Sequence, residues 1–526
     1  MVKDFFKNNW QVFLYNILII LLCIVFWGRF GDAFVDSFRE AYIPEQMLRG
    51  QVLYKNIFCI YAPLSYLINE FLYKIFGVSL NVLYISSLFT TLGIFNLVYV
   101  IANNFIDKNC SLAVVLFFVA SSFLSPNVFN FILPYSFGIT YGLLFILLSV
   151  YFILNKKIAP ACIMYSLACL CKYEFIMLLP VLLVEGRNEK TWKKLLALIS
   201  PIIITSLILK LQGCDLESVL VSISTVFAMS STKTIQWFYS MSGLMFKWQL
   251  IPVYLVSICK FFIPLAIVYY FRSRWLYIPV LVWYFLFAKQ DILLFAFPLI
   301  FVLFVLRYKN LEHPERVFVI SSLLISVKVF FATAIQSYGA YFMPLALISL
   351  IILMPKYLKK HLCTIILLAS VAVGWLNIKV LNEKSYEIAT DRGVIYTYPE
   401  IANAFGVLVN YVNGKTKENE RVCVYPEGLL LNFMAERSSD NKFYSLIPLY
   451  TETFGEDTII SRFNIKKPEY IVISNYNTNM YYYSFFGQDY ANEIYNYVLE
   501  NYTLHAKIGR HCQFNVFRLS SRYPSP

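Results

Sequence analysis

DAFVDSFREAYIPEQMLRGQVLYKNIFCIYAP, residues Asp32 to Pro63, places two aspartates, two glutamates and two arginines between two long apolar runs. Charged groups beside a bilayer are costly to desolvate unless they are paired or used, so a cluster this dense points to a site. Read as a helix over 32–49, the stretch puts Asp32 and Asp36 four residues apart. Asp36 then shares a face with Arg39 and Glu40, while Phe38, Met47 and Leu48 face lipid or protein. Such a helix lies in the membrane interface and presents carboxylates and a guanidinium to water. A solvated face with an ordinary ion pair is the plainer reading of the same pattern.

The surrounding chain decides what kind of protein carries this loop. Its 526 residues are 59% hydrophobic, 18% aromatic and only 14% charged, against about 25% charged in soluble proteins. Apolar runs recur from residue 11 to residue 380, and a spanning helix needs ~20 residues. The chain is therefore read as a polytopic membrane protein. Lys3 and Lys7 precede the run Val12–Trp27, but no small-x-small cleavage site follows, so the first helix is expected to stay.

The net charge of +13 does not indicate nucleic acid. From residue 381 onward there are 14 Lys/Arg against 16 Asp/Glu; the excess sits in short connections such as Lys156-Lys157, Arg187 to Lys194, Arg272/Arg274, Arg307 to Arg316 and Lys356 to Lys360. Basic connections of this kind lie in the cytoplasm. Spans are expected near 11–30, 80–102, 111–125, 135–154, 158–171, 174–185, 195–211, 250–271, 275–289, 292–306, 317–335, 340–354 and 362–380. That gives about 13 passes, with the N-terminus cytoplasmic and the C-terminal part outside. The first outer loop is 31–79, and residues 1–380 form a transmembrane domain.

After residue 380 the pattern changes to short strands (422–425, 470–474, 514–519) and amphipathic helices (about 397–412, 427–436, 489–501). Residues 381–526 are thus read as a small extracytoplasmic α/β domain with its own core. Of the eleven cysteines, most sit within spans as small apolar residues. Cys423 and Cys512 are the only two in the tail and are placed to pair if the tail is exported. His313, His361, His505 and His511 show no metal-ligand spacing. A P-loop, a dinucleotide-binding glycine motif and a Ser-His-Asp triad are absent from the sequence.

The run DSFREAYIP, then Gly50-Gln51-Val52-Leu53-Tyr54-Lys55, then Tyr61-Ala62-Pro63-Leu64, resembles the first outer loop of bacterial GT-C membrane glycosyltransferases. Ala62 stands where that family usually has glycine. The resemblance is to the class of dolichyl-phosphate-mannose mannosyltransferases and aminoarabinose transferases. It implies an α-helical polytopic fold of GT-C type and transfer of a hexose or pentose, with inversion, from a polyprenyl-phosphate carrier. The acceptor would be an envelope glycan, lipid or protein at the bacterial inner membrane. It also implies that Asp36 is the family's first-loop acid, with Asp32 as the alternative and Glu40 beside them. Arg39 and Tyr61 would then serve the substrate.

Two further places carry charge. Lys172 and Glu174 interrupt an apolar stretch, where each unpaired charge would cost roughly 2.5–3.5 kcal/mol at a helix centre. They are read either as a mutual ion pair or, by resemblance to the family's Lys-x-Glu, as groups facing the carrier phosphate. Asp291 lies at an outer helix end; similar proteins have a histidine three residues on, where this chain has Leu294. Asp32, Asp36 and Glu40 supply oxygens of the kind Mg²⁺ or Mn²⁺ takes, but no closed ligand set can be read. In the tail, Pro426-Glu427-Gly428 with Asn432, Pro468 to Val472 and Phe486 to Tyr490 resemble the outer domain of some GT-C proteins. The competing readings are a transporter or flippase of lipid-linked sugars, which would bury charge at the bilayer midplane, and a polysaccharide polymerase or ligase.

Overall fold

The structure, a computed structural model, describes residues 2–520. The side chains of residues 2–9 and of Arg274 lie outside that description, and with them the expectations placed on Lys3, Lys7 and Arg274. The chain divides into two compact units, each assembled from three separated segments. The first runs up to Gly31 and then takes Tyr84–Ile204 and Ser242–Asn382. Asp32–Leu83, Thr205–Met241 and the chain from Glu383 onward make up the second. One break between the units falls at Asn382/Glu383, and Asp32–Leu83 groups with the chain from Glu383 onward.

Helices form where apolar runs leave the backbone no water to bond, so that every N–H and C=O is satisfied within its own segment. Among the described residues, five helices are long and apolar enough to cross a membrane: Leu80–Asn103, Phe137–Leu154, Thr191–Leu211, Trp248–Phe271 and Lys356–Glu383. Shorter apolar helices lie at Trp10–Val25, Lys108–Phe123, Ile158–Cys171, Tyr277–Phe287 and Tyr338–Leu353. Thirteen full passes are thus not what the helix lengths give among the described residues. The expected span 174–185 is a 3₁₀ turn, Tyr173–Leu178, followed by a seven-residue helix, Leu179–Glu185. Lys172 ends the preceding helix in an extended conformation, φ −153° and ψ 118°.

Within the first unit, Phe137–Leu154 packs along Ile158–Cys171 at close range. A Cβ at Gly138 would lie 2.6 Å from the Cys171 backbone carbonyl oxygen, so glycine is what lets the two helices approach this closely. Cys110 and Cys363 are joined by a disulfide that ties Lys108–Phe118 to Lys356–Glu383. The pairing expected in the tail does not occur, since Cys423 and Cys512 are both free thiols. Cys423 is fully buried on a central strand, where it behaves as a small apolar side chain.

All the strands among the described residues lie in the second unit. β1 (Tyr386–Thr390) and β2 (Gly393–Thr397) form an antiparallel hairpin. β3 (Val422–Tyr425), β4 (Tyr470–Ser474), β5 (Tyr502–Ile508) and β6 (Phe514–Leu519) make a sheet in the order β3-β4-β6-β5. β3 and β4 run parallel and the other pairs antiparallel. Every residue of β3 and β4 is buried, as expected of strands covered on both faces. Glu469 clamps the start of this parallel pair, taking the Arg421 guanidinium at 2.6 Å and the Arg421 backbone N–H at 2.6 Å. The core below the sheet joins Tyr425, Phe463, Ile471 and Phe517 of the tail with Phe58 of the first loop and Met229 of the middle segment. This shared core is why the loop and the tail make one unit.

Candidate active site

Of the stretch 32–49 only Ser37–Leu48 is helical, so the four-residue spacing of Asp32 and Asp36 on one helix face does not arise. Asp32 instead closes the turn before the helix: its Oδ1 accepts the backbone N–H of Phe34 at 2.8 Å and of Val35 at 3.0 Å. This is the side-chain turn that short acidic residues favour. Its carboxylate is occupied in holding the chain.

Asp36 sits at the head of the helix in a conformation few residues adopt, φ 55° and ψ −54°. The Val35 carbonyl accepts the Ser37 N–H at 2.5 Å across it, which is a γ-turn of the strained hand. Such strain costs of order 1–3 kcal/mol and persists where the surroundings over-determine it. Here the Asp36 carbonyl starts the helix by accepting the Arg39 N–H at 3.0 Å, and Arg39 Nη1 donates to Asp36 Oδ1 at 2.5 Å. The Asp36 side chain keeps 21% exposure, against 8% for Arg39 and 0% for Glu40. Of the three expected catalytic acids, Asp32 and Asp36 are partly exposed and Glu40 is buried; Asp32 is bound to the backbone, whereas Asp36 makes no side-chain cap bond and pairs with Arg39.

Glu40 is a buried strut. Its Oε1 accepts the Tyr66 hydroxyl at 2.7 Å and two Arg39 nitrogens at 3.3 Å each. Arg39 also lies over the Tyr61 ring, 4.5 Å from its centroid, a cation–π contact that fixes the guanidinium plane. Thus Tyr61, Glu40 and Tyr66 hold Arg39, and Arg39 holds Asp36.

The expected interfacial helix with one solvated face is not what forms, because every residue from Ser37 to Met47 is buried. The tail covers it. Tyr42 Oη meets Ser439 Oγ at 2.9 Å, Ser438 donates to Gln46 at 2.6 Å, and the Phe38 and Phe433 rings lie 6.2 Å apart. Buried Glu45 receives Arg49 at 2.8 Å and Arg392 of the β1–β2 turn at 3.0 Å. Burial lifts the Glu45 carboxyl above its ordinary range, against the pull of those two arginines. Tail tyrosines complete the surroundings. Burial raises the Tyr476 and Tyr481 hydroxyls, and the charges of Glu427 and Asp36 add to it.

The remaining expected residues lie in the first unit. Lys172 donates to the Tyr135 hydroxyl at 2.5 Å, with its ammonium 4.8 Å from the Tyr135 ring and 5.0 Å from that of Tyr338. Glu174 stands 3.7 Å from Lys172 but 3.0 Å from Lys328, so its nearer partner is a lysine the sequence reading passed over. Two lysines on one carboxylate leave an excess positive charge between two tyrosines. Asp291 receives Lys260 on both oxygens at 2.9 Å. That pair borders an open depression of ≈ 480 Å³ together with Lys289, Gln290, Gln336 and Asn377. Lys328 and Lys260 are each the sole charge inside an apolar run, and that signal was available in the sequence.

A divalent ion does not fit the first-loop acids as they stand. Asp32 is committed to its turn and Glu40 to Arg39 and Tyr66. Among the described residues no group of three Asp, Glu, His or Cys side chains converges as a metal site.

No family model matches the sequence, and no curated protein matches it. Two kinds are among the solved structures that resemble the chain. One is ArnT from Cupriavidus metallidurans, bound to undecaprenyl phosphate and in the apo state; both have a TM-score of 0.46 and 13% identity over 97% of this chain and 99% of that one. The other is the Archaeoglobus fulgidus oligosaccharyltransferase in complex with Zn and sulfate, with a TM-score of 0.44 and 12% identity over 84% of this chain and 64% of that one.

Proposed function

We propose that the protein is a membrane glycosyltransferase of GT-C type that moves a sugar from a polyprenyl-phosphate carrier to an extracytoplasmic acceptor. The observation that carries this reading is Asp36, an open carboxylate on a strained turn with Arg39 at 2.5 Å, in a chain rich in apolar helices. The first-loop sequence DSFREAYIP and its continuation to Leu64 support it by resemblance.

Asp36 takes the proton of the acceptor hydroxyl as the oxygen attacks the sugar C1. The bond from C1 to the carrier oxygen breaks, and its electron pair leaves on the phosphate. Attack opposite the leaving group inverts C1. Arg39, held by Tyr61 and Glu40, keeps the base oriented and offsets the negative charge gathered beside it. In the membrane unit, the excess charge of Lys172 and Lys328 around Glu174 suits the phosphate of a lipid carrier. On this reading the unit that carries Asp36 faces outward.

One observation favours a transporter of lipid-linked sugars instead: the Lys260–Asp291 pair and the Lys172–Glu174–Lys328 group are shielded ionic clusters in the membrane unit. A single assay separates the two readings. Purified protein is incubated in vesicles with a panel of labelled polyprenyl-phosphate sugars and membrane extract, with and without chelator. Label in a new covalent product that disappears with Asp36→Asn is the expected result. Label that only changes leaflet would establish transport and end the transferase reading.

A further inference from the structure

The helix Leu216–Ser230 follows the apolar helix Thr191–Leu211 after four residues, 212–215, and shares the second unit with that helix's end, from Thr205 onward. It is apolar on two opposite sides. On one side Ser222 and Met229 are buried: Ser222 Oγ donates to the Cys59 carbonyl, and Met229 enters the core that Phe58 shares with the tail. Leu216, Leu220, Ile223 and Phe227 form the other side. At 3.6 residues per turn their spacing keeps them within about 60° of one another. All four are exposed, Leu216 by 73% and Phe227 by 72%.

A continuous stripe of four large apolar side chains is not a water-facing surface. What precedes it says what covers it. Thr191–Leu211 is long and apolar enough to cross a membrane, and Leu207 and Leu211 at its end are exposed, as on a helix that faces lipid. The next helix then begins at a charged level. Asp215 Oδ1 accepts the Ser218 N–H at 2.7 Å, and its carboxylate meets Lys55 at 3.2 Å, both side chains half exposed. A capped, charged start beside an apolar stripe is the layout of a helix lying in the membrane interface. A crossing does not fit. The helix has 15 residues, short of the ~20 that a span needs, and the tail covers its Ser222–Met229 side. The following helix, Lys233–Met241, turns off by 67° and is pinned by Glu452, which accepts the Lys233 and Thr234 N–H groups at 3.0 Å each.

We propose that Leu216–Ser230 is a membrane seat for the second unit. It lies along the leaflet in which Thr191–Leu211 ends, with Leu216, Leu220, Ile223 and Phe227 among the acyl chains. Its partner is the hydrocarbon of the bilayer, and its opposite side holds the folded unit against that surface. The seat also sets the height of the candidate site. Ser222 holds Cys59, the Tyr54 hydroxyl donates to the Tyr61 carbonyl at 2.7 Å, and the Tyr61 ring carries Arg39. Asp36, paired with Arg39, is thereby kept in register with the lipid surface, where a lipid-borne headgroup is presented.

The test uses the full-length protein in vesicles of phosphatidylcholine and phosphatidylglycerol that carry a phosphatidylcholine with a diazirine on its acyl chain. After photolysis the labelled residues are mapped by mass spectrometry. Adducts are expected on Leu216, Leu220, Ile223 and Phe227, at a yield within a few-fold of that on the exposed side chains of Thr191–Leu211. Label on Thr191–Leu211 with none on Leu216–Ser230 overturns the proposal. So do cross-links between two copies of the chain through these positions in place of lipid adducts. Adducts on Ser222 and Met229 as well overturn it, because they mean a helix surrounded by lipid. The double variant Leu220→Glu, Phe227→Glu gives a second readout. Its melting midpoint in vesicles should fall by several degrees, whereas on a water-facing helix the two changes cost little. An unchanged midpoint overturns the seat. None of these measurements involves sugar transfer, so the seat stands or falls apart from the chemistry at Asp36.

Discussion

Arg39 Nη1 lies 2.5 Å from Asp36 Oδ1 across a single helical turn, and the same guanidinium touches Glu40 and the Tyr61 ring. One cation thus ties the exposed acid to the buried framework. A carboxylate held this way keeps its orientation.

Asp36→Asn keeps the size of the side chain and a short polar group suited to the unusual backbone, but removes the charge. Transfer should fall by about 10²–10⁴-fold, with little change in thermal stability. Asp32→Asn should be mild, because an amide oxygen accepts the Phe34 and Val35 N–H groups equally well. Asp32→Ala should lower stability by opening the turn. Initial rates and melting curves on the three variants check this; an active Asp36→Asn would remove Asp36 from the chemistry.

Tyr66→Phe deletes the hydroxyl that Glu40 accepts at 2.7 Å in a fully buried position. The carboxylate then lacks one partner, at a cost of about 1–3 kcal/mol. The unfolding midpoint should drop.

In the membrane unit the two lysines should behave differently. Lys328→Met removes the nearer partner of Glu174 and should destabilise the protein, with rescue by adding Glu174→Gln. Lys172→Met should abolish transfer, and Glu174→Gln should not restore it. Rescue of Lys172→Met by Glu174→Gln would show that Lys172 only pairs with the acid.

Burial depresses the Lys384 ammonium to about 8, with Asp32 opposing the shift. Above that pH the folded protein has released a proton that the unfolded chain keeps until about 10.4. The unfolded state then binds more protons, so stability rises with pH between those values. Unfolding followed from pH 8 to 10.4 should show this rise, and Lys384→Met should remove it.

The sequence by itself determined that the chain is a membrane protein, because apolar runs of helical length have no other stable setting. It also determined the strands Val422–Tyr425, Tyr470–Ser474 and Phe514–Leu519, whose apolar runs bounded by turn residues are locally decided. It singled out the first loop, since charge at a lipid boundary stands out in composition alone. Only the tertiary structure decided what each acid holds. Asp32 and Asp36 are the same residue type four positions apart, and what separates them is that one carboxylate takes two backbone N–H groups while the other takes the Arg39 guanidinium. Likewise Lys328 becomes the partner of Glu174 only when segments far apart in sequence fold together. Pairing across 154 positions is fixed by packing, and no local pattern of residues encodes it.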